Sequence, residues 1–303
     1  MNQRLLFSGV LIALVQGAAF AAEPIKAVAK PIDPRGTVEV SNIRGRIKVS
    51  GWTRSMVAVT GTLGADTRLI FEGAGNRMVV RAERISKGNT GWLNWGGSGP
   101  NEDTLLQVHV PLGASLELEA VSADIDVLGI KSSDRLQVET VSGDVNLQAS
   151  TDKLDISSVS GDVIFAGRAE RAEAESVSGD LRLRGIDGEL SVDTVSGEAN
   201  VADSRLRQID SGSVSGDLDF DVELVGNANV DVETMSGEIT LSLPASLSAT
   251  IDAETFSGSL HADFPVQIID EAGPGSSMRG KLGAGDARIQ LESFSGDIRV
   301  RKH

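Results

Sequence analysis

A five-residue phrase recurs along the chain at a nearly constant interval. It is T-V-S-G-D at 140–144, S-V-S-G-D at both 158–162 and 176–180, and T-V-S-G-E at 194–198. Related phrases give nine apolar index residues, one in each phrase: Val121, Val141, Val159, Val177, Val195, Val214, Met235, Phe256 and Phe294. Successive index residues are 18 to 21 positions apart, except for a last step of 38. A fixed period of this length is typical of stacked structural units.

The residues on either side of each phrase alternate between apolar and polar. Around Val141, Leu136 and Val138 precede the phrase, and Val145 and Leu147 follow it. This is the period of a strand with one buried face. Because two short strands cannot bury a core alone, the repeat predicts an all-β chain, a single-stranded β-helix or flattened β-solenoid with coils of 18–21 residues. The step of 38 predicts two coils, with one corner near position 275 overwritten.

Each phrase is predicted to be a corner between two strands of a coil. Glycine fills its third position in eight phrases, at Gly143, Gly161, Gly179, Gly197, Gly216, Gly237, Gly258 and Gly296. Glycine is the residue that a bend needs where the backbone takes a positive φ. The hydroxyl residues around the index residue can bond to backbone groups at the bend. The phrase therefore recurs because the bend recurs.

An acidic residue follows the corner glycine, and in a stack these residues form a column. Its members are Asp144, Asp162, Asp180, Glu198, Asp217 and Glu238. Neighbouring carboxylates about 5 Å apart repel each other by about 0.9 kcal/mol in water. We expect them to cap the turns and keep the surface soluble. A calcium ladder is the alternative, since Ca²⁺ takes oxygen ligands, although the nonapeptide calcium-binding pattern is absent.

The chain divides into four segments. Residues 1–21 have a basic start, an apolar run and the small-residue signal Ala19-Phe20-Ala21, which together predict a secretory signal peptide. A linker at 22–35, an irregular β-rich part at 36–112 and the regular solenoid at 113–303 follow, the last two continuous with each other. Without any Cys there is no disulfide framework. We therefore expect an exported protein, periplasmic or at the cell surface, with no transmembrane span in its mature chain.

Charge and residue types argue against several classes of function. The net charge of −15 repels nucleic acid. With no Cys, three His, no H-E-x-x-H and no G-x-S-x-G, the sequence supports neither a thiol, a zinc nor a serine hydrolase, and we expect no enzyme activity and no cofactor. A carbohydrate-active lyase or hydrolase stays an alternative, because carboxylates are abundant and sugar-cleaving enzymes use β-helices.

Three stretches carry a resemblance to a known family. They are V-S-N-I-R-G-R-I-K-V-S-G-W at 40–52, the S-G-D and S-G-E corners, and G-P-G-S-S-M-R-G-K-L-G-A-G-D-A at 273–287 followed by I-Q-L-E-S-F-S-G-D-I-R-V at 289–300. The chain resembles bacterial exported β-strand repeat proteins catalogued as putative adhesins, a domain of unknown function. The resemblance covers nearly all of the mature chain and implies a β-solenoid, expected to be right-handed. It implies no catalytic residues.

Export and an extended repeat without a catalytic constellation predict a non-enzymatic adhesin-like or envelope-associated protein, with an unknown protein or glycan as partner. A structural surface protein stiffened by calcium is a further alternative. Trp92 and Trp95, in a Gly-rich loop at 86–103, are candidate ligand-binding residues, because exposed indoles can stack on sugar rings. Alternatively, both indoles cover an open end of the solenoid core.

Overall fold

The computed structural model describes residues 23–85, 103–270 and 275–303, and every regular element in these ranges is a β-strand. Nineteen strands form a single sheet that winds into a solenoid. They are β1 (Glu23–Pro31), β2 (Thr37–Trp52), β3 (Met56–Leu63), β4 (Thr67–Ala74), β5 (Arg77–Arg84), β6 (Thr104–Pro111), β7 (Ser115–Thr140), β8 (Val145–Ser158), β9 (Val163–Ser176), β10 (Leu181–Thr194), β11 (Ala199–Ser213), β12 (Leu218–Thr234), β13 (Ile239–Leu243), β14 (Ala249–Thr255), β15 (Leu260–Ala262), β16 (Gln267–Asp270), β17 (Ser276–Leu282), β18 (Ala287–Ser293) and β19 (Ile298–Lys302). In these ranges we find no helix of the length and apolar character needed to cross a membrane.

One coil shows how the solenoid is built. Along β8 the buried residues alternate from Val145 to Thr151, and the alternation then slips by one residue before Leu154. At that slip the chain turns from one layer to the other, and the corner at 159–162 turns it back. β8 pairs in parallel with β9, at an offset of 18 residues such as Val145 with Val163. The predicted all-β solenoid is therefore confirmed.

The core lies between the two layers of strands. It contains the inward side chains of every coil, so that Leu147, Phe165 and Leu183 occupy equivalent buried positions in three consecutive coils. Burying a side chain of this size stabilises the fold by roughly 1.5–3 kcal/mol. Because the parallel pairing repeats the same register from coil to coil, like side chains stack on like. This regular packing makes the corner regular as well.

The corner glycines lie where the sequence places them, but a positive φ is not their common property. In this column only Gly143 has one, at 136°. A Cβ added to Gly179 would instead clash with the carbonyl oxygen of Gly161 in the preceding coil, and the same clash recurs from coil to coil. Close stacking of the corner backbones therefore explains the glycine column, and the expectation based on φ is wrong for the other seven glycines.

The order of the coils in space departs from their order in the chain at the C-terminal end. β18 lies between β12 and β14, and β19 lies between β13 and β15. The last coil is thus inserted between two coils that precede it. The prediction of an overwritten corner near 275 is wrong, because β17 runs antiparallel to β14 and leaves the spiral.

The N-terminal end is built in a similar way. The strand β2 lies between β7 on one side and β5 and β6 on the other, all in parallel. The strands predicted near 56–63, 77–82 and 105–111 are present as β3, β5 and β6. Antiparallel strands close both ends of the stack: β1, β3 and β4 at the first, β16 and β17 at the second.

Candidate interaction surface

Every corner exposes one large apolar side chain. In spatial order, these residues are Ile43, Val121, Val141, Val159, Val177, Val195, Val214, Met235, Phe294 and Phe256, and between 43% and 59% of each residue is exposed. We call this set the corner ladder. At about 4.8 Å per coil, its nine steps span about 43 Å. At its end the rings of Phe294 and Phe256 stack, with centroids 5.0 Å apart and planes 8° from parallel.

The hydrogen bonds of the corner explain why the apolar side chain points outward. The N–H of Ser160 donates to the carbonyl oxygen of Val141 in the preceding coil at 3.1 Å, so main-chain pairing continues through the bend. The buried hydroxyl of Ser158 accepts a hydrogen bond from the N–H of Gly161 and donates to its carbonyl oxygen. The corner therefore buries the hydroxyl residue and exposes the valine, which reverses the usual arrangement.

An acidic row runs beside the corner ladder, two residues before each index residue. Its members are Glu119, Glu139, Glu175, Asp193, Glu233, Glu292 and Glu254, all exposed. Between the row and the ladder lies a groove with a floor of serine and threonine. Its main part, from Val159 to Phe256, has a volume of about 980 Å³. A second part of about 490 Å³ continues from Val159 to Ile43.

The acidic row differs in its ion pairs from the rest of the same layer. Elsewhere carboxylates have cationic partners: Asp155 contacts Arg135 at 2.7 Å, and Glu39 contacts Arg77 at 2.9 Å. In the acidic row only Glu254 has a cationic partner among the described residues, Arg279 at 2.9 Å. The remaining six carboxylates form a line of uncompensated negative charge along the groove.

Asp193 shows the electrostatic result of this arrangement. Burial raises the pKa of its carboxyl group, and the charges of Asp210 and Glu173 raise it further, against a hydrogen bond from the N–H of Gly212. The shift indicates that adding another negative charge to this part of the groove is unfavourable. A positive charge placed there would be stabilised for the same reason.

The acidic column after the glycines has a different role. Each of four carboxylates accepts, through Oδ1, a hydrogen bond from a main-chain N–H of the following coil: Asp144, Asp162, Asp180 and Asp217. Glu198 provides the N–H for one of these bonds, and Glu238 contacts Thr240 and Arg299. In the described parts of the chain, no three or more His, Asp or Glu side chains are grouped so that they could hold a metal ion.

Two other predictions lie outside the described residues. These are the signal peptide at 1–21 and the loop residues Trp92 and Trp95. The ends of that loop are described: Ile85 follows β5, and Asp103 forms an ion pair with Arg44 at 2.9 Å, next to Ile43 of the ladder. The loop therefore leaves and re-enters the solenoid at the N-terminal end of the corner ladder.

The corner ladder was not identified as a surface from the sequence, although its signal was present. Residues five, three and one position before each index residue share one phase of the alternation, as Leu154, Ile156 and Ser158 do before Val159. That phase is buried, so the index residue belongs to the exposed one. The hydroxyl residue in the buried phase obscured this, because polar residues are normally expected outside.

The fold and the ladder define a class, that of β-solenoids built from one coil of about 18–21 residues with a corner surface. The family model described as Toastrack DUF4097 matches residues 37–301, and the chain belongs to this family. The comparison with curated proteins found no match.

Two solved structures share this fold. A protein from Parabacteroides distasonis, described as a putative lipid binding protein, is similar with a TM-score of 0.55 and 16% identity, over 92% of this chain and 96% of that one. A protein from Parabacteroides merdae, described as a putative adhesin, is similar with a TM-score of 0.51 and 9% identity, over the same shares of 92% and 96%. At these identities the likeness concerns the fold.

Proposed function

We propose that this protein is a non-enzymatic, exported, adhesin-like interaction protein that binds a protein or glycan of the cell envelope through its corner ladder. The observation that carries the proposal is the unbroken line of ten half-exposed apolar side chains along one edge. Soluble monomers rarely expose large contiguous apolar patches, and such patches mark interaction sites. The flanking corner positions are polar, so the bend itself does not demand an apolar surface residue.

Three further observations support the proposal. The N-terminal 21 residues have the sequence pattern of an export signal. The solved structures of similar fold include one described as a putative adhesin and one described as a putative lipid binding protein, both names of binding functions. Finally, a solenoid is extended and closely stacked, which suits a surface that must present many equivalent contacts in one line.

The experiment compares two sets of substitutions in the purified protein. The ladder variant V177T/V195T/V214T keeps the β-branched shape and replaces three exposed methyl groups by hydroxyls. The control variant L128T/I164T changes two exposed apolar residues outside the ladder, which are 49% and 42% exposed. Co-sedimentation with isolated cell-envelope fragments measures binding, and thermal melting confirms that both variants fold.

We expect the ladder variant to lose most of its binding, and the control variant to bind like the unsubstituted protein. Equal binding by both variants would contradict a role of the ladder, and no binding by the unsubstituted protein would contradict the envelope role. Release of soluble sugar fragments from the envelope material would instead favour the carbohydrate-active alternative.

A further inference from the structure

We infer that the groove between the corner ladder and the acidic row binds a basic amphipathic α-helix. The helix lies along the stack, with its apolar stripe on the ladder and its cationic stripe on the acidic row. This inference rests on the proposed function and specifies the chemistry of the partner. It follows from the spacing of the ladder, from the unpaired charges and from two hydroxyl groups in the floor.

The spacing of the coils fits a helix better than an extended strand. From Val159 to Phe256 the main part of the groove has six steps of about 4.8 Å, or about 29 Å. An α-helix returns to the same face every 5.4 Å or so, which adds up to a mismatch of about 4 Å over six turns, less than one coil. Same-face residues of a strand are about 6.7 Å apart, which gives a mismatch of about 11 Å, more than two coils.

The charges select a basic partner. Six of the seven carboxylates in the acidic row lack a cationic partner among the described residues, whereas neighbouring carboxylates of the same layer are paired. One Lys or Arg per helical turn would place a positive charge opposite nearly every one of them. Such complementarity increases the association rate and excludes acidic partners, including anionic lipid surfaces.

The groove floor contributes two hydroxyl groups with no hydrogen-bond partner in the described structure. They belong to Thr140 and Ser293, which are 4% and 6% exposed and line the two parts of the groove. The equivalent hydroxyls of Ser158, Ser176, Thr194 and Ser213 are bonded to their corner glycines. A hydroxyl that is buried without a partner is unfavourable, and each of these two can accept a hydrogen bond from an incoming ammonium group.

The test uses a synthetic helical peptide of 20 or so residues, long enough for the groove at about 1.5 Å per residue. It carries Leu on one face and Lys on the flanks of that face. The first control peptide replaces every Lys by Glu, and the second has the same Leu and Lys in scrambled order. Fluorescence anisotropy measures Kd for the purified full chain at low and at high salt.

We expect the Lys helix to bind about tenfold or more tightly than the scrambled peptide, with no detectable binding of the Glu helix. The preference should decrease at about 0.5 M salt, where the Debye length falls below about 5 Å. Equal binding of the Lys and Glu helices would overturn the inference, because the acidic row would then contribute nothing. Equal binding of the scrambled peptide would overturn it as well, because the site would recognise charge without a helix.

Two matched variants of the protein locate the site. E175Q/D193N/E233Q removes three charges from the acidic row, and D152N/E170Q/E223Q removes three exposed charges near the opposite bends. Both change the net charge equally, so a difference between them reports position. We expect the first to weaken binding of the Lys helix about tenfold and the second less than about twofold, since rim charges act locally. Equal effects would overturn the inference.

Other occupants give distinct results. If the ladder pairs two copies of the chain, the protein sediments as a dimer and V177T/V195T/V214T as a monomer. If acyl chains fill the groove, neutral phosphatidylcholine vesicles bind and the Lys helix does not. Either result overturns the inference. If no peptide binds while envelope binding still depends on the ladder, this inference fails and the proposed function stands.

Discussion

Oδ1 of Asp162 accepts a hydrogen bond from the main-chain N–H of Asp180, one coil further along the stack, at 3.1 Å. The same bond joins Asp144 to Asp162 and Asp180 to Glu198. Each carboxylate thus satisfies a main-chain donor of the following corner. The column of like charges persists because each carboxylate stabilises the neighbour that it repels.

Replacing Asp162 by Ala removes the acceptor and should lower the free energy of unfolding by about 1 kcal/mol, the usual contribution of one such bond. Asp162→Asn keeps an oxygen in the same place and relieves the repulsion between neighbours, so we expect it to be close to neutral. Chemical denaturation of the two variants measures the difference. Equal destabilisation by Ala and Asn would show that the charge matters and the acceptor does not.

Calcium should not stabilise the protein. Half of the oxygens in the acidic column already accept main-chain hydrogen bonds, and a ligand that binds only the folded state must raise the melting temperature. We therefore expect the same Tm in chelator and in millimolar calcium, with magnesium as the control for ionic strength. A rise of several degrees that is specific to calcium would favour the calcium-stiffened alternative.

Gly179→Ala should be strongly destabilising, by about 2–3 kcal/mol, because the new Cβ would force two stacked backbones apart. Gly212→Ala is the matched control: its Cβ would meet only Oδ1 of Asp193, at 2.8 Å, and that carboxylate can move. We expect Gly212→Ala to change stability by less than about 1 kcal/mol. Denaturant midpoints of the two variants decide the matter, and similar losses would contradict the stacking explanation.

The carboxyl of Glu39 should lose its proton at an unusually low pH. Burial alone would raise its pKa, but hydrogen bonds from Arg77 and Arg81 outweigh burial and hold the pKa below its usual range. Because the folded-state pKa is depressed, the stabilisation is present above the unfolded-state pKa of about 4.3 and is lost as the pH falls through the folded-state value. Glu39→Gln should therefore be less stable than the unsubstituted protein at pH 7, by about 1 kcal/mol at most.

At a pH of about 3 or lower the two proteins should approach the same stability. Unfolding by denaturant at a series of pH values measures this convergence. A constant difference between pH 7 and pH 3 would mean that Glu39 stabilises the fold by packing and that its charge contributes nothing.

Removing the last coil, residues 287–303, should unfold more of the protein than the segment removed. β14 and β15 pair with β18 and β19, so both lose their parallel partners. We expect 249–270 and 276–282 to lose their protection from hydrogen exchange. Deletion of β1, which pairs only with β3, is the control and should leave protection elsewhere unchanged. Persistent protection of 249–270 would contradict the insertion of the last coil.

Much of this fold could be predicted from the sequence, because inward side chains of each coil follow a strict period of two. The period predicted the parallel strands and their corners. It could not predict the inserted coil, since alternation records which residues are buried and not which strand lies beside them. One clue was present: Phe256 and Phe294 are the only aromatic index residues, and they stack on each other.

The site was harder to predict than the fold. An exposed valine such as Val177 resembles a core residue in a sequence, and only the phase of its neighbours distinguishes it. The pairing of charges is not encoded in sequence spacing either. Arg171 and Glu189, 18 residues apart, contact each other at 2.6 Å, whereas Glu175 and Asp193, also 18 apart, occupy adjacent places in the row without a cation.

The inserted last coil has a consequence for synthesis. A ribosome delivers a chain from its N-terminus, and a solenoid whose spatial order follows its chain order can add each coil as it emerges. Here the strands β14 and β15 must wait, because the coil that separates them from β12 and β13 is the final segment to be made. The C-terminal third therefore closes in one event after translation ends. A nascent chain interrupted at any earlier point would expose an unpaired parallel edge.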